Sequence, residues 1–565
     1  MKPLFTAILC TLCIASHAQY KYNRIDINAG TQDSYHDVTK MIVHNGKLFM
    51  PVYHPSYGLE LFSTDGTATG TSLVKDIYPG LWSNDIFGLT SYNGSLYFAA
   101  REMTNGTELW TTDGTEAGTK IVKKIFEDYR SGIRETHRDV TVLNGKLIFA
   151  AIDTVPTGIE LWQSDGTDAG TSILKDIIVF GTHPDPHTYG SEPKNFSVQG
   201  SKMYFSAINT SSSERVLYET NGTAGGTKRI EPGVAPGYIA TDFFYVHNGG
   251  LYYSKAGGQL WRYNISTGQA TMLKDIDPRT FGVSGFPPMA ELNGKLYFTA
   301  TDSTHGFELW TTDGTAVGTY MVKDIQPGIG GSVPQLAGSI VYKNKLYFSA
   351  QDTTDGTEIW VTDGTEAGTK QFANIFTDTK VGGFKGIIEY ADKLFFYGRH
   401  AQGWQIYETD GSTAGTRILQ GPNVSGTTMD TNYYAAKYHE PSGFTMYNNA
   451  LYFFARWDST GMELWSLQDT TIPIVNVATN TNVINPVTMF PNPAKNSISI
   501  KIGNAFAKGA VTIRDMAGRI IKTEMLHTAN AERLYNIPIH DIPSGMYMTE
   551  VMIDDKRTIE RLVIQ

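Results

Sequence analysis

The sequence predicts an all-β protein: a β-propeller of about nine four-stranded blades, closed by the N-terminal strand and followed by a small C-terminal β-sandwich. Three observations predict this class. A motif beginning Glu-Leu-Trp recurs along the chain, glycine and aromatic residues are abundant, and short alternating segments replace the repeat near the end. With 565 residues, 57 glycines and 18% charged residues, the chain is too long for one ordinary domain and suits a turn-rich β repeat.

The charge balance argues against nucleic acid as a partner. The chain has 46 basic and 56 acidic residues, a formal net charge of -10, and no basic stripe. Without clustered cations it cannot gain affinity by displacing counterions from a phosphate backbone.

The N-terminus has the layout of a secretory signal peptide over residues 1–18. Lys2 precedes an apolar run from Leu4 to Ile14, and small residues precede Gln19. Both cysteines, Cys10 and Cys13, lie inside this segment, so its removal excludes disulfides and thiolate metal sites from the mature protein. No later window is long and apolar enough for a transmembrane helix, and we expect none in the mature chain.

The repeat occupies residues 19–470. Its best copy is ELWTTDGTEAGT from Glu108, and nine copies of varying quality recur about every 50 residues, a period long enough for four strands. The aromatic position of the copies falls at Phe62, Trp110, Trp162, Tyr218, Trp261, Trp310, Trp360, Tyr407 and Trp465.

The order of motifs in each unit predicts a four-stranded antiparallel meander. An Asn-Gly-type turn, with Asn-Gly itself the strongest short hairpin signal, precedes a Leu-Tyr-Phe-type strand. The Glu-Leu-Trp strand and its Asp-Gly turn follow, and a VKDI-like strand ends the unit, most clearly in the one around Trp310. Lys and Asp within that last strand suit an outer edge. The ninth unit lacks it, but the segment YKYNRIDINAG from Tyr20 aligns with this strand and would close the ring. An open β-solenoid is the alternative, and the unit around Tyr218 departs most from the pattern.

A Thr- and Asn-rich linker at 471–486 leads into a last domain at 487–565. Its segments, from Phe490 to Ile502, Ala510 to Ile521 and Asp541 to Asp554, alternate apolar and polar residues as half-buried strands do. The motifs PNP at 491–493, DMAGR at 515–519 and PSGMY at 543–547 resemble the type A C-terminal sorting domain of the bacterial type IX secretion system. The resemblance implies export through the type IX machinery and either release or anchoring to surface lipopolysaccharide.

The repeat itself resembles the family of secreted bacterial ELWxxDGT-repeat proteins. Beyond a repeated β fold this resemblance implies little, because members have no agreed activity. Their association with surface and adhesive proteins hints at adhesion.

The most repeated residues have structural explanations. Each Asp of an Asp-Gly-Thr turn can accept backbone N–H bonds while the glycine takes positive φ; calcium binding is the alternative, although one turn supplies too few oxygens. We expect the tryptophan side chains to pack in the core between blades; a platform on which sugars stack is the alternative. We therefore expect no cofactor, apart from this calcium alternative.

Alternating strand direction places the Asn-Gly and Asp-Gly turns on one face of the ring and more variable loops on the other, where we expect function. Two long loops carry candidate binding residues, as ligand contacts or as ordinary loop packing. They are His183 and His187 in one loop, and Tyr433, Tyr434, Tyr438 and His439 in the other.

Shorter loops of the same face carry Asp-Ser/Thr triplets. Polar turn chemistry explains them, but they also resemble O-glycosylation sites of periplasmic proteins in bacteria with type IX secretion. The resemblance implies four acceptors: Thr154, Ser303, Thr353 and Ser459.

No catalytic motif is present, neither GxSxG, HExxH nor a phosphate loop, and we assign no catalytic residue. The sequence favours a secreted or cell-surface module that binds glycan or protein. Alternatives are a hydrolase or lyase acting on polysaccharide, since paired carboxylates leave no motif, and a passive surface-layer component.

Overall fold

A computed structural model describes most of the chain in two compact units, residues 1–474 and 475–565. The described residues are 20–28, 34, 41–81, 85–126, 131–153, 158–178, 190–208, 215–230, 244–255, 258–277, 289–302, 304–373, 384–400, 403–419, 443–455, 462–470, 487–490, 494, 497–502, 508–515, 520–526, 533–539, 542–543, 545–553 and 556–564.

The described part of the first unit contains nine four-stranded antiparallel sheets, which we number as blades 1 to 9. Blade 1 comprises β2 (Ile42–His44), β3 (Lys47–His54), β4 (Gly58–Thr64) and β5 (Ser72–Lys75). Blade 2 comprises β6 (Phe87–Tyr92), β7 (Ser95–Glu102), β8 (Gly106–Thr112) and β9 (Lys120–Lys123). A 3-10 helix, η1 (Glu135–His137), precedes blade 3, which comprises β10 (Val140–Leu143), β11 (Lys146–Ala151), β12 (Glu160–Ser164) and β13 (Ser172–Lys175).

The next three blades follow the same order. Blade 4 comprises β14 (Lys194–Gln199), β15 (Lys202–Ile208), β16 (Arg215–Thr220) and β17 (Lys228–Arg229). Blade 5 comprises β18 (Phe244–His247), β19 (Gly250–Lys255), β20 (Gln259–Asn264) and β21 (Gln269–Asp275). Blade 6 comprises β22 (Ala290–Leu292), β23 (Lys295–Ala300), β24 (Glu308–Thr312) and β25 (Tyr320–Lys323).

The last three blades complete the repeat. Blade 7 comprises β26 (Gln335–Tyr342), β27 (Lys345–Asp352), β28 (Gly356–Thr362) and β29 (Lys370–Ala373). Blade 8 comprises β30 (Phe384–Tyr390), β31 (Lys393–His400), β32 (Gly403–Thr409) and β33 (Arg417–Ile418). Blade 9 takes three strands from the end of the unit and its outer strand from the start: β34 (Thr445–Tyr447), β35 (Ala450–Ala455), β36 (Glu463–Asp469) and β1 (Tyr20–Ile25).

Blade 2 shows how the local sequence forms a blade. At the first hairpin of blade 2, Asn93 and Gly94 have φ of 46° and 78°, as a type I′ turn requires. The central strands then pair Phe98 with Trp110. The first strands of blades 1 to 3 lie against one another, as do those of blades 6 to 8, which places first strands innermost and the VKDI-type strands outermost.

The blades close into a ring. β1 pairs with β36 over six residues, from Tyr20 opposite Asp469 to Ile25 opposite Leu464. Hydrophobic clusters join each blade to the next, including blade 9 to blade 1, where Ile25 and Phe454 pack with Met50. The predicted propeller and its closure by the N-terminal strand are confirmed, and the solenoid alternative is wrong. The unit around Tyr218 forms a complete blade whose outer strand has two residues.

The second unit is a small β-sandwich, as predicted. One sheet has the order β37-β38-β41 and the other β40-β39-β42-β43. Its strands are β37 (Val487–Phe490), β38 (Ser497–Ile502), β39 (Gly509–Asp515), β40 (Ile520–Leu526), β41 (Arg533–Pro538), β42 (Gly545–Ile553) and β43 (Lys556–Ile564). Ile500 from one sheet and Val511 and Leu562 from the other share a buried core.

Candidate binding face of the propeller

The propeller has two different faces. The turns between first and second strands and between third and fourth strands form the turn face. The loops between second and third strands, and those from one blade to the next, form the loop face. Strands one and three of every blade therefore begin at the loop face.

Polar groups on the turn face are used in repeated internal contacts. In blade 2, Asp113 Oδ1 accepts hydrogen bonds from the Thr115 backbone N–H at 2.9 Å and from its hydroxyl at 2.7 Å, and these bonds lower the pKa of Asp113. Thr115 Oγ1 then accepts the Gly118 N–H at 3.0 Å. This geometry matches the structural interpretation of the Asp-Gly-Thr turns.

The turn face also joins neighbouring blades. Tyr92 Oη of blade 2 donates to the carbonyl of Gly145 in blade 3 at 2.6 Å. Lys123 Nζ of blade 2 lies 2.9 Å from Asp168 Oδ1 of blade 3. Five described tryptophans are buried: Trp110, Trp162, Trp310, Trp360 and Trp465. Trp110, 5% exposed, packs in the core shared by blades 1 and 2. We conclude that the repeat motif mainly builds the ring.

The loop face is anchored by the glutamate of the Glu-Leu-Trp motif, which sequence reasoning did not single out. Glu60, Glu108, Glu160, Glu308, Glu358 and Glu463 are all buried. Glu308 accepts the Ile325 N–H at 2.9 Å and the Ser332 hydroxyl at 2.5 Å, so its carboxylate ties the segment after blade 6 to the blade. The recurrence of glutamate beside apolar residues was the available signal.

Burial changes the acidity of these carboxyl groups. Desolvation raises the pKa of Glu108 to about 8 and those of Glu160 and Glu463 to about 7, against the lowering effect of the N–H and hydroxyl groups that donate to them. They are positioned to hold backbone, not to contact a ligand.

A charged cluster lies on the loop face where blades 3 and 4 meet. Arg215, at the start of β16, donates to the main-chain oxygen and to Oε2 of Glu192, each at 2.8 Å. Lys194 Nζ lies 3.8 Å from the same Oε2. The Asn195 N–H donates to Asp139 Oδ2 at 3.0 Å, which links the cluster to the residues after η1.

His137 of η1 belongs to this region and is 5% exposed. Its burial, and the positive charges of Lys194, Arg215 and Arg134, lower its pKa to about 3, so the imidazole is neutral at physiological pH. Among the described residues, its Nε2 atom has no hydrogen-bond partner. Sequence reasoning missed this cluster because its members come from segments far apart in the chain.

A second cluster lies on the loop face of blade 6. His305 Nδ1 is 2.9 Å from Asp302 Oδ2, and its Nε2 is 3.8 Å from Asp324 Oδ2. The hydrogen bond to Asp302 raises the pKa of His305. In the described segments, no group of three or more His, Asp, Glu or Cys side chains could hold a metal ion, and the calcium alternative stays a prediction.

Most sequence-predicted site residues lie outside the described residues. This applies to His183, His187, Tyr433, Tyr434, Tyr438 and His439, and to three of the four glycosylation candidates, Thr154, Ser303 and Ser459. Thr353 is described: it lies exposed in the turn between β27 and β28, where Asp352 Oδ1 accepts the Thr354 N–H at 2.8 Å. The polar-turn explanation of that triplet therefore fits the geometry.

The C-terminal sandwich indicates where the protein is exported. Residues 488–565 match the family described as "Secretion system C-terminal sorting domain". These residues are a type IX sorting domain. The sorting domain implies interaction with the type IX machinery, and it indicates export to the cell surface or the medium. No helix in the described part of the chain is long and apolar enough to cross a membrane.

Three solved structures that are similar to most of this chain share little sequence with it. The designed protein Ika8 is 12% identical, with 78% of this chain and 99% of that chain covered and a TM-score of 0.36. PorZ, a surface component of the type IX system of Porphyromonas gingivalis, is 11% identical, with 93% and 75% covered and a TM-score of 0.34. BamB from Moraxella catarrhalis is 10% identical, with 80% and 98% covered and a TM-score of 0.33. These similarities are too low to support a functional inference, and comparison with curated proteins gave no match.

Proposed function

We propose that this protein is an exported binding module of the ELWxxDGT-repeat type, which recognises a glycan or protein ligand at or beyond the cell surface through the loop face of its ring. The supporting observation is the contrast between the faces. The described turn face is occupied by repeated structural contacts, such as Asp113 with Thr115, whereas the loop face carries blade-specific charged residues such as Arg215. Loops that vary between structurally equivalent positions commonly carry the residues that recognise ligands.

The two ends of the chain would deliver this module. A signal peptide at 1–18 would direct it to the periplasm, and the sorting domain to the type IX machinery. Anchoring to surface lipopolysaccharide would make the module adhesive, and release would make it a diffusible binder. We further propose Thr353 as a glycan acceptor, because its side chain is exposed on the loop face.

The test uses the full chain secreted by a host with type IX secretion. The protein is screened on glycan and surface-protein arrays and assayed in parallel for release of reducing sugar. We expect saturable binding without turnover. Release of reducing sugar would contradict the proposal. Unsaturated uronate ends on the products would then indicate a lyase, and saturated ends a hydrolase. Absence of all binding would contradict a recognition role.

A further inference from the structure

Building on the binding role proposed above, we propose that Lys194 and Arg215 form a subsite for the carboxylate or sulfate group of an acidic glycan. In the free protein, Glu192 occupies this subsite as an internal substitute for the ligand. The ligand anion would displace the Glu192 carboxylate.

The contacts of Arg215 define the subsite. Its Nη1 donates to the main-chain oxygen of Glu192 and its Nη2 to Glu192 Oε2, each at 2.8 Å, so displacement of the carboxylate would free Nη2 while Nη1 stays on the backbone. Charge-assisted donation from Nη2, with Lys194 Nζ 3.8 Å from the same Oε2, suits a carboxylate or sulfate oxygen. The Glu192 side chain is 36% exposed, which leaves this contact open to exchange with a solvent anion.

Positive side chains surround the subsite. Arg134, Lys194 and Arg215 all act on the buried, neutral His137. Arg215 and Lys194 both contact Glu192, and Asp139 accepts from the Asn195 N–H. The Glu192 carboxylate is therefore the group whose place a ligand anion would take.

An equivalent turn elsewhere in the ring shows that the charges of Glu192 and Lys194 are not needed for this turn to form. Ser332-Val333-Pro334-Gln335 in front of blade 7 corresponds to Ser191-Glu192-Pro193-Lys194 in front of blade 4. Val333 and Glu192 both have φ of 44°, and their N–H groups donate to Phe307 and Ile159 carbonyls at 2.8 and 3.0 Å. The same backbone therefore forms with valine and glutamine at the two positions.

The surface suits a sugar polymer better than a protein. Protein interfaces are usually centred on apolar or aromatic anchors. Among the described residues, no exposed large hydrophobic side chain lies between Met103 and Met272, the stretch that contains this cluster.

Titration calorimetry of the full secreted chain tests the subsite. The probes are oligogalacturonate for the carboxylate, a sulfated dextran oligosaccharide for the sulfate, and neutral dextran. We expect an acidic probe to bind, the affinity to fall with salt, Arg215→Gln to weaken it about tenfold or more, and Glu192→Gln to strengthen it several-fold. Lys123→Gln, which removes an exposed ion pair on the turn face, is the matched control and should leave the affinity unchanged.

Lys194→Gln is the second variant if Arg215→Gln does not fold, because glutamine occupies the equivalent position in blade 7. Preference between the two acidic probes identifies the anion. Unchanged affinity in the subsite variants, or equal affinity for neutral dextran, would overturn the subsite and leave the binding role intact. Binding to proteins but to no glycan on the arrays would also overturn the subsite and leave the binding role intact. Absence of binding on every array would contradict the binding role itself.

Discussion

A glycine of the repeated turn shows how strictly single residues are constrained in this ring. In blade 4 the turn carries Asn221 in place of aspartate, yet Oδ1 still accepts from the N–H and hydroxyl of Thr223, at 3.1 and 2.7 Å. A Cβ added to Gly226 would lie 1.9 Å from that Oδ1, whereas one added to Gly225 would meet nothing within 4 Å. Neighbouring glycines thus have opposite tolerances.

We therefore predict that Gly226→Ala lowers the free energy of unfolding by about 1–3 kcal/mol, because the new methyl must displace the Asn221 side chain from its hydrogen bonds. Gly225→Ala is the matched control and should be neutral or slightly stabilising, since alanine restricts the unfolded chain. Thermal midpoints of the two variants give the measurement. Equal midpoints for both would show that the turn is not held by the side chain at position 221.

Among the secondary-structure elements, β1 has the largest effect on topology, because it completes a blade whose other strands lie more than 400 residues away. Tyr20 also reaches the neighbouring blade: its hydroxyl donates to Glu408 Oε2 at 2.5 Å and accepts from Lys393 Nζ at 2.8 Å. Ile25 is fully buried between blades 9 and 1. One strand thus joins three blades.

Deleting residues 20–25 should leave β36 with an unpaired edge and a gap where Ile25 packs. We expect a lower thermal midpoint and concentration-dependent association of the variant. A synthetic peptide of residues 20–28 should restore both properties, while a peptide carrying Tyr20→Ala and Ile25→Ala should not. If the deletion leaves the midpoint and the monomeric state unchanged, ring closure does not depend on this strand.

The elements were largely predictable from sequence, and the sites were not. Asn-Gly pairs and adjacent apolar residues specify local hairpins and two-sided burial, so the blades and the closing strand follow from short-range patterns. The cluster of His137, Glu192 and Arg215 depends on how three separate segments meet at one face, which no local pattern contains. The buried glutamates of the Glu-Leu-Trp motif recur visibly in the sequence, but their partners do not: these are mainly backbone N–H groups, which no residue pattern identifies.

At the scale of the whole molecule, the buried glutamates of the Glu-Leu-Trp motif determine how the stability of the protein depends on pH. Folding raises the pKa of Glu108 from 4.5 to about 8, so the folded state binds its proton more tightly than the unfolded state does. The stabilisation is complete below the unfolded pKa and is lost as pH rises through the folded value. Glu160 and Glu463, with pKa values of about 7, contribute in the same direction, but their contribution is lost at a lower pH than that of Glu108.

We predict that the thermal midpoint decreases as the pH is raised from 6.5 to 8.5. This window begins at the unfolded pKa of His137, 6.5, so most of the opposing effect of His137 titration lies below it. Glu108 alone should cost about 1.4 kcal/mol per pH unit up to its folded pKa. Glu108→Gln should lower the midpoint at pH 6.5, because its amide nitrogen cannot accept one of the two N–H bonds from Ile125 and Phe126, and it should also flatten the pH dependence. Asp113→Asn is the control: the pKa of Asp113 is lowered, so its titration ends below the window and the slope should persist. A slope that is the same in wild type and Glu108→Gln would mean that this carboxyl is already ionised at pH 6.5 and that the N–H donors outweigh burial.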